Sequence, residues 1–324
     1  MAVHMYVDAA AGGGGTGLSW AQAWNLAEFE ADVEGAAVAD DYYYLKEGTY
    51  TLTNAFSTTR DGSTQYPAHI IGVVSATTNE PPTTADWATG DNRPLIAGGA
   101  HGFVLDNSWN VRNLRFTGSH ATVLRLDTNG RAINCKVTNS GTGQSFATGG
   151  NGVVTWIDCE SDCSSTGDSF EVGSGYTIGC FAKDGDSGFV SFGTAAPGAA
   201  IFCIASGCNE GANLSTSSHP LVLNTVFFDC TDGILATTSH RACVLSCIFN
   251  DCGDGASWST DYSAGHWFDY NNWEGNTDDV DFVTKGPNAT AVDPLFTNAA
   301  GDDFSLQAGS SCIDAGFNVL VGVG

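Results

Sequence analysis

The 324-residue chain carries 36 acidic against 11 basic side chains, a formal net charge of −25, with 42% hydrophobic residues, 41 Gly and 11 Cys. This apolar content excludes a disordered chain, the aperiodic glycine excludes collagen, and no apolar run is long enough for a membrane-spanning helix. The charge repels phosphate backbones and anionic lipid, so neither nucleic acid nor a membrane surface is an expected partner.

The first residues, MAVHMYVDAAAGGGGTG, lack the basic and apolar regions of a secretory signal. With an odd number of Cys, this predicts reduced thiols inside a cell. The Gly run at 12–17 lacks the Lys and Ser/Thr of a phosphate loop and reads as a flexible leader. A helix is predicted over 18–35, with Ser19 as N-cap, Gln22 completing a capping box and Gly35 as the stop. It would cover the open end of the strands downstream of it, because an exposed strand edge invites aggregation. YYYLKEGTYTL, from 42, reads as the first strand-bearing coil.

Through the middle of the chain a strand-like segment recurs every 21–24 residues, aligned on Leu114, Cys135, Cys159, Cys180, Cys203, Thr225 and Cys247. Cys208, Cys230 and Cys252 form a second column. Within each segment apolar residues alternate, so that Ile133, Cys135 and Val137 are expected on one side. A strand with Gly, Asn and Asp turns at this period fits one coil of a parallel β-solenoid. Stacked coils put equivalent residues about 4.8 Å apart, and small, buried Cys suits such a ladder. A metal site is the rival reading of the cysteines, but no compact C-x₂-C pair is present.

Near the end, Asp293, Pro294, Phe296, Gly301, Phe304, Ile313, Asp314, Ala315 and Gly316 close the repeat. Together with the Gly-rich leader, the Ser19–Trp20 pair, EGTYTL at 47 and RPLIAGG at 93, this ending resembles the pectin-lyase-like superfamily. The resemblance implies an all-β, right-handed single-stranded parallel β-helix with an N-terminal capping helix. The expected division is 1–38 as leader and cap, 39–316 as β-helix and 317–324 as tail.

Lyases of this class use a Lys or Arg base beside a uronate carboxylate, and many add Ca²⁺. Arg115 and Lys136 share an outward column on neighbouring coils and are the catalytic candidates, with a salt bridge to Glu160 as the alternative use of Lys136. Hydrolases need paired carboxylates; Asp278–Asp279 and Asp302–Asp303 occur without the Gly-His-Gly or Arg-x-Lys that would accompany them. No metal or cofactor is assigned, although Ca²⁺ has possible ligands at Asp184 and Asp186 or at Asp278, Asp279 and Asp281. Trp258, Tyr262, Trp267 and Tyr270 are the glycan-stacking candidates.

The outward column changes from Arg115, Lys136 and Glu160 to Phe181, Ile204, Val226 and Ile248, with Phe202 and Phe228 nearby. A contiguous apolar stripe on a soluble protein demands a cover. A second subunit is the expected cover, most simply in a homotrimer. Three functions compete. The preferred one is a structural virion protein of a bacterial virus, a capsid decoration or tail-associated spike made in the host cytoplasm alongside other virion proteins. A polysaccharide lyase or glycoside hydrolase, and a secreted carbohydrate-binding or adhesion module, are the alternatives.

Overall fold

The computed structural model describes residues 2–35, 40–58, 67–149, 153–163, 166–190, 198–214, 219–236, 241–259 and 265–317. The chain forms two compact units, Met1–Phe170 and Glu171–Gly324.

In the N-terminal unit, His4–Val7, Tyr42–Lys46, Ala68–Val73, Trp109–Arg112, Arg131–Ile133 and Thr155–Ile157 pair in that order as a first parallel sheet. Thr49–Thr51, Leu95–Gly99, Arg115–Gly118, Lys136–Asn139 and Glu160–Cys163 make a second. Phe56–Ser57, Phe103–Leu105, Thr122–Leu126 and Gln144–Thr148 make a third. The chain visits the three sheets in turn and begins again one strand further on. This is the parallel β-solenoid expected from the repeat, in the form of the right-handed parallel β-helix that the resemblance implied.

The C-terminal unit repeats the plan. Its first sheet is Tyr176–Ile178, Ala199–Ile201, Leu221–Leu223, Cys243–Leu245 and Trp267–Asp269. Its second is Phe181–Lys183, Ile204–Ser206, Val226–Phe228, Ile248–Asn250 and Asn272–Glu274. Its third is Ser187–Val190, Glu210–Asn213, Asp232–Ala236, Asp254–Trp258 and Asp278–Asp281. An antiparallel hairpin of Phe296–Asn298 and Asp303–Leu306 comes after the last coil.

The passage from first to second sheet turns on one left-handed residue per coil. These are Asn113, Asn134 and Asp158 in the N-terminal unit, and Gly179, Phe202, Asn224, Ser246 and Tyr270 in the C-terminal unit, with φ between 49° and 63°. Each segment read as a single strand is therefore two short strands in two sheets. The corner resets the alternation: Ile133, Ile178 and Ile201 lie half-buried on the outside, while Cys135, Cys180 and Cys203 point inward. The residue after the corner is the aligned column, extended by one coil to Asn271, and none of it is more than 1% exposed.

The same corner explains why Cys fills that column. The Sγ of Cys159, Cys203 and Cys247 donates to the carbonyl two residues back at 3.3, 3.3 and 3.4 Å. Where Thr225 replaces Cys, its Oγ1 donates to Leu223 O at 3.0 Å. A short side chain carrying a weak donor satisfies the position, and all the thiols are free. Aromatic rings stack along the interior as well, with Phe249 lying 4.9 Å from Phe227 and 4.2 Å from Trp273.

The predicted helix is broken. Trp20–Gln22 is a 3₁₀ turn without a side-chain cap from Ser19, and the α-helix runs only over Leu26–Gly35. Trp24 is drawn out of the helix because its N–H donates to Tyr6 O and its carbonyl accepts from Asp8 N. Asn25 then caps the helix, its Oδ1 accepting from Glu28 N while Glu28 Oε2 accepts from Asn25 N. Phe29 is fully buried against Tyr43 and Phe56, so the helix does close the end of the core. Nor is the Gly run a free leader: Gly14 N donates to Glu28 Oε1, and Gly15 O accepts from Trp24 Nε1.

Candidate functional site

Arg115, Lys136 and Glu160 stand in register on the second sheet, as the repeat predicts. Lys136 is ion-paired with Glu160. Arg115 Nε donates to Arg93 O at 3.0 Å, and its guanidinium lies 3.5 Å from Asp91. Both cations are thus engaged by neighbours on their own surface.

Phe181, Ile204, Val226 and Ile248 are likewise in register. Part of this face is covered by the chain itself. The Phe304 ring lies 6.0 Å from Phe181 and 5.4 Å from Phe228, and Phe296 packs edge-on to Phe228. Lys183 ties the hairpin down through Asp302 at 2.6 Å. The second subunit was expected to supply this cover, and the hairpin removes that reason for it. Phe202, on the corner, stays 62% exposed.

The stacking candidates separate. Trp258 is 1% exposed and packs against His266 and Phe268, so it has no face to offer a ligand and belongs to the core. Tyr262 lies outside the described residues. Trp267 is 51% exposed, and Tyr270 is half-buried beside Phe317.

Trp267 closes one end of a groove of about 480 Å³ on the outer face of the first sheet of the C-terminal unit. The floor is the in-register row Tyr176, Ala199, Leu221, Cys243 and Trp267. Five neighbouring strands make it roughly 20 Å long. Tyr176, 44% exposed, stands at the other end. His219 and Arg241 line the groove. Gly265 takes φ +110°, and a Cβ there would stand 2.6 Å from Arg241 Nε, so only glycine lets the guanidinium lie against this backbone. The imidazole of His266 is held below its usual pKa, first by burial and then by the Arg241 charge. Among the described residues lining the groove there is no Asp or Glu. The C-terminal unit holds three Lys and Arg residues in all: Lys183 and Lys285 are ion-paired, and Arg241 forms no ion pair among the described residues. The groove was not legible in the sequence, because His219 and Arg241 belong to no motif and meet only through the stacking of coils.

The third sheet of the same unit carries the opposite character. Glu210, Asp232, Asp254 and Asp278 are in register on successive strands. Burial, then the neighbouring carboxylates, raises the pKa of Asp232 and of Asp254. Of the residues considered for Ca²⁺, Asp279 is paired with Lys285, and Asp186 accepts from Asn209 Nδ2 at 3.3 Å. Among the described residues no group of three or more His, Cys, Asp or Glu is arranged to hold a metal ion.

No family model matches the chain, and no curated protein does. Solved structures do. A rhamnogalacturonan lyase superposes with a TM-score of 0.53 at 11% identity, covering 91% of this chain and 90% of that one. A pectate lyase reaches 0.45 at 12% identity over 98% and 92%. A PL6-family polysaccharide lyase from Pseudopedobacter saltans reaches 0.48 at 10% identity over 88% and 79%. At such identity the likeness establishes the fold alone, a right-handed parallel β-helix. The expectation of a virion structural protein is corrected here. The structure that superposes with a TM-score above 0.5 is a rhamnogalacturonan lyase, and the apolar face that argued for assembly into a particle is partly covered by the chain's own hairpin.

Proposed function

We propose that the protein is a polysaccharide lyase acting on a uronate-containing glycan in the groove between Tyr176 and Trp267. One observation carries this reading: in a chain of net charge −25, that groove has no acidic lining among the described residues and holds Arg241 and His219. An anionic chain would be repelled elsewhere on the protein and attracted there. Exposed aromatic rings at both ends offer faces to sugar rings. The names of the solved structures with this fold point to the same substrate class.

The chemistry rests on the groups present. Arg241 neutralises the uronate carboxylate, which acidifies the adjacent C5–H. His219 takes that proton on a ring nitrogen. The released electron pair forms the C4=C5 double bond as the C4–O bond breaks, and the departing oxygen takes up a proton from water. The test is incubation with a panel of pectic, alginate and glucuronate polysaccharides, following the unsaturated uronate product. Product from at least one acidic polysaccharide, and none from neutral ones, is expected. Binding of an acidic glycan with no unsaturated product would overturn the lyase reading in favour of a carbohydrate-binding module.

A further inference from the structure

The groove that carries the proposed lyase site is long for the charge it holds. Its floor row, Tyr176, Ala199, Leu221, Cys243 and Trp267, rises one strand per coil, and neighbouring strands stand about 4.8 Å apart. An extended glycan advances by a similar step per pyranose ring, so a chain laid along the row sets roughly one sugar over each coil. Both end rings stay open to solvent. Tyr176 is 44% exposed, and Trp267 is 51% exposed although Phe317 packs edge-on to it at 6.0 Å.

Cations are scarce along this row. Histidine aside, the sequence of the C-terminal unit has only Lys183, Arg241 and Lys285, so no loop of this unit can add another. Lys183 is bound to Asp302 and Lys285 to Asp279. A guanidinium keeps its proton at any ordinary pH, which makes Arg241 the one permanent positive charge among the lining residues. It stands two residues before Cys243; the equivalent residue is His219 one coil earlier and Gly265 one coil later. On the coil of Ala199 the described lining is Gly198 and Ala199 itself, which is 3% exposed. A carboxylate placed over that coil gives up water to an apolar floor, meets no cation of its own, and feels a chain of net charge −25.

We propose that the groove reads a single uronate, at Arg241, flanked by uncharged sugars, so that its substrate is a mixed glycan interleaving uronates with neutral units. This rests on the lyase reading of the same groove and narrows its substrate class. A continuous polyuronate carries a carboxylate on every unit, and of the units seated over the row only the one at Arg241 is paired. Neutral rings lose nothing over the apolar floor and gain the aromatic faces of Tyr176 and Trp267.

The experiment is calorimetric titration of the full chain carrying His219→Ala, which leaves the ligand uncut, with three oligosaccharides of matched length. One is an oligouronate, one alternates uronate with a neutral sugar, and one is neutral throughout. The wild-type protein is given the same three, and unsaturated product is followed. The alternating chain is expected to bind about tenfold or more tighter than either of the others. Arg241→Ala should remove that advantage over the neutral chain. Leu221→Lys, which sets a second cation on the floor, should raise affinity for the oligouronate several-fold and narrow the gap. The proposal is overturned if the oligouronate or the neutral chain binds as tightly as the alternating one. Preferred cleavage of the oligouronate would overturn it and leave the lyase reading standing. Tight binding of the alternating chain with no product from the wild-type protein would support it and overturn the lyase reading.

Discussion

The same corner is built twice, and the two units use it differently. In the N-terminal unit it carries Asn113, Asn134 and Asp158, residues that accept left-handed backbone cheaply, and Asn134 Nδ2 donates to Asn113 Oδ1 at 2.8 Å along the stack. In the C-terminal unit Phe202 and Tyr270 take the place of such residues. The column beside the corner diverges in parallel. Arg115, Lys136 and Glu160 are neutralised by ion pairs, whereas Phe181, Ile204, Val226 and Ile248 are apolar and partly covered by a hairpin. Coil geometry fixes which positions face inward, and it leaves the outer coat free to become an ion-paired surface in one unit and an apolar one in the other.

The contrast is broken most strongly by uncovering the apolar column. Phe304 is 7% exposed and touches Phe181 and Phe228. Phe304→Ala should cost about 2–4 kcal/mol, read as a drop in denaturant midpoint for the C-terminal unit, with dye-binding apolar surface appearing. The matching change in the N-terminal unit, Glu160→Gln, removes only a partly exposed ion pair and should cost no more than about 1 kcal/mol by the same measurement.

Acid should separate the two units next. His69 stacks on Tyr42 at 4.2 Å, and its pKa is lowered from 6.5 to about 4 by burial and then by Arg112. The folded N-terminal unit therefore binds fewer protons there than the unfolded chain, and stability falls as pH drops from 6.5 towards 4. Asp232 is shifted upward by burial and then by Asp254 and Glu210, and Asp254 by burial and then by Asp278 and Asp281. Their repulsion is fully present above the raised values and is relieved as pH falls through them, so this pair favours the fold on acidification, while the depressed His266 of the same unit acts in the opposite direction. Hydrogen exchange at stepped pH, resolved by unit, checks both signs.

The smallest effect is relief at the corner. Phe202→Gly should be neutral or stabilising by up to about 1 kcal/mol in thermal unfolding, because glycine accepts φ 56° without strain. Asn113→Ala, which puts a Cβ with no compensating hydrogen bond at φ 58°, should destabilise. Thiol labelling gives a further check: Cys243 and Cys312, the two half-buried thiols, should react in the native protein and the other nine only on unfolding.

Much of the fold was legible because the repeat is carried by buried residues. Register forces equivalent positions to stack, so Arg115 beside Lys136 and Phe181 beside Ile204 could be read from spacing alone. The corner was invisible because Asn, Asp, Gly, Phe, Ser and Tyr all occupy it, and because one left-handed residue hides a change of face inside an apparent alternation. The helix at 18–35 was overread because Trp24 pairs with the first strand, a tertiary contact that overrides local periodicity. The groove could not be read at all, since Tyr176, His219, Arg241 and Trp267 come from four coils and form no motif.

On the proposed function, Arg241 reads and neutralises a uronate carboxylate in a groove with no Asp or Glu among its described lining residues. The most direct measurement is the initial rate of unsaturated-product formation by wild type, Arg241→Lys and Arg241→Ala on the best acidic polysaccharide. The expected result is a loss of about a hundredfold or more in Arg241→Ala, with part of the rate kept by Arg241→Lys. Wild-type rates in Arg241→Ala, or no product from any uronate polysaccharide with the wild-type protein, would contradict it.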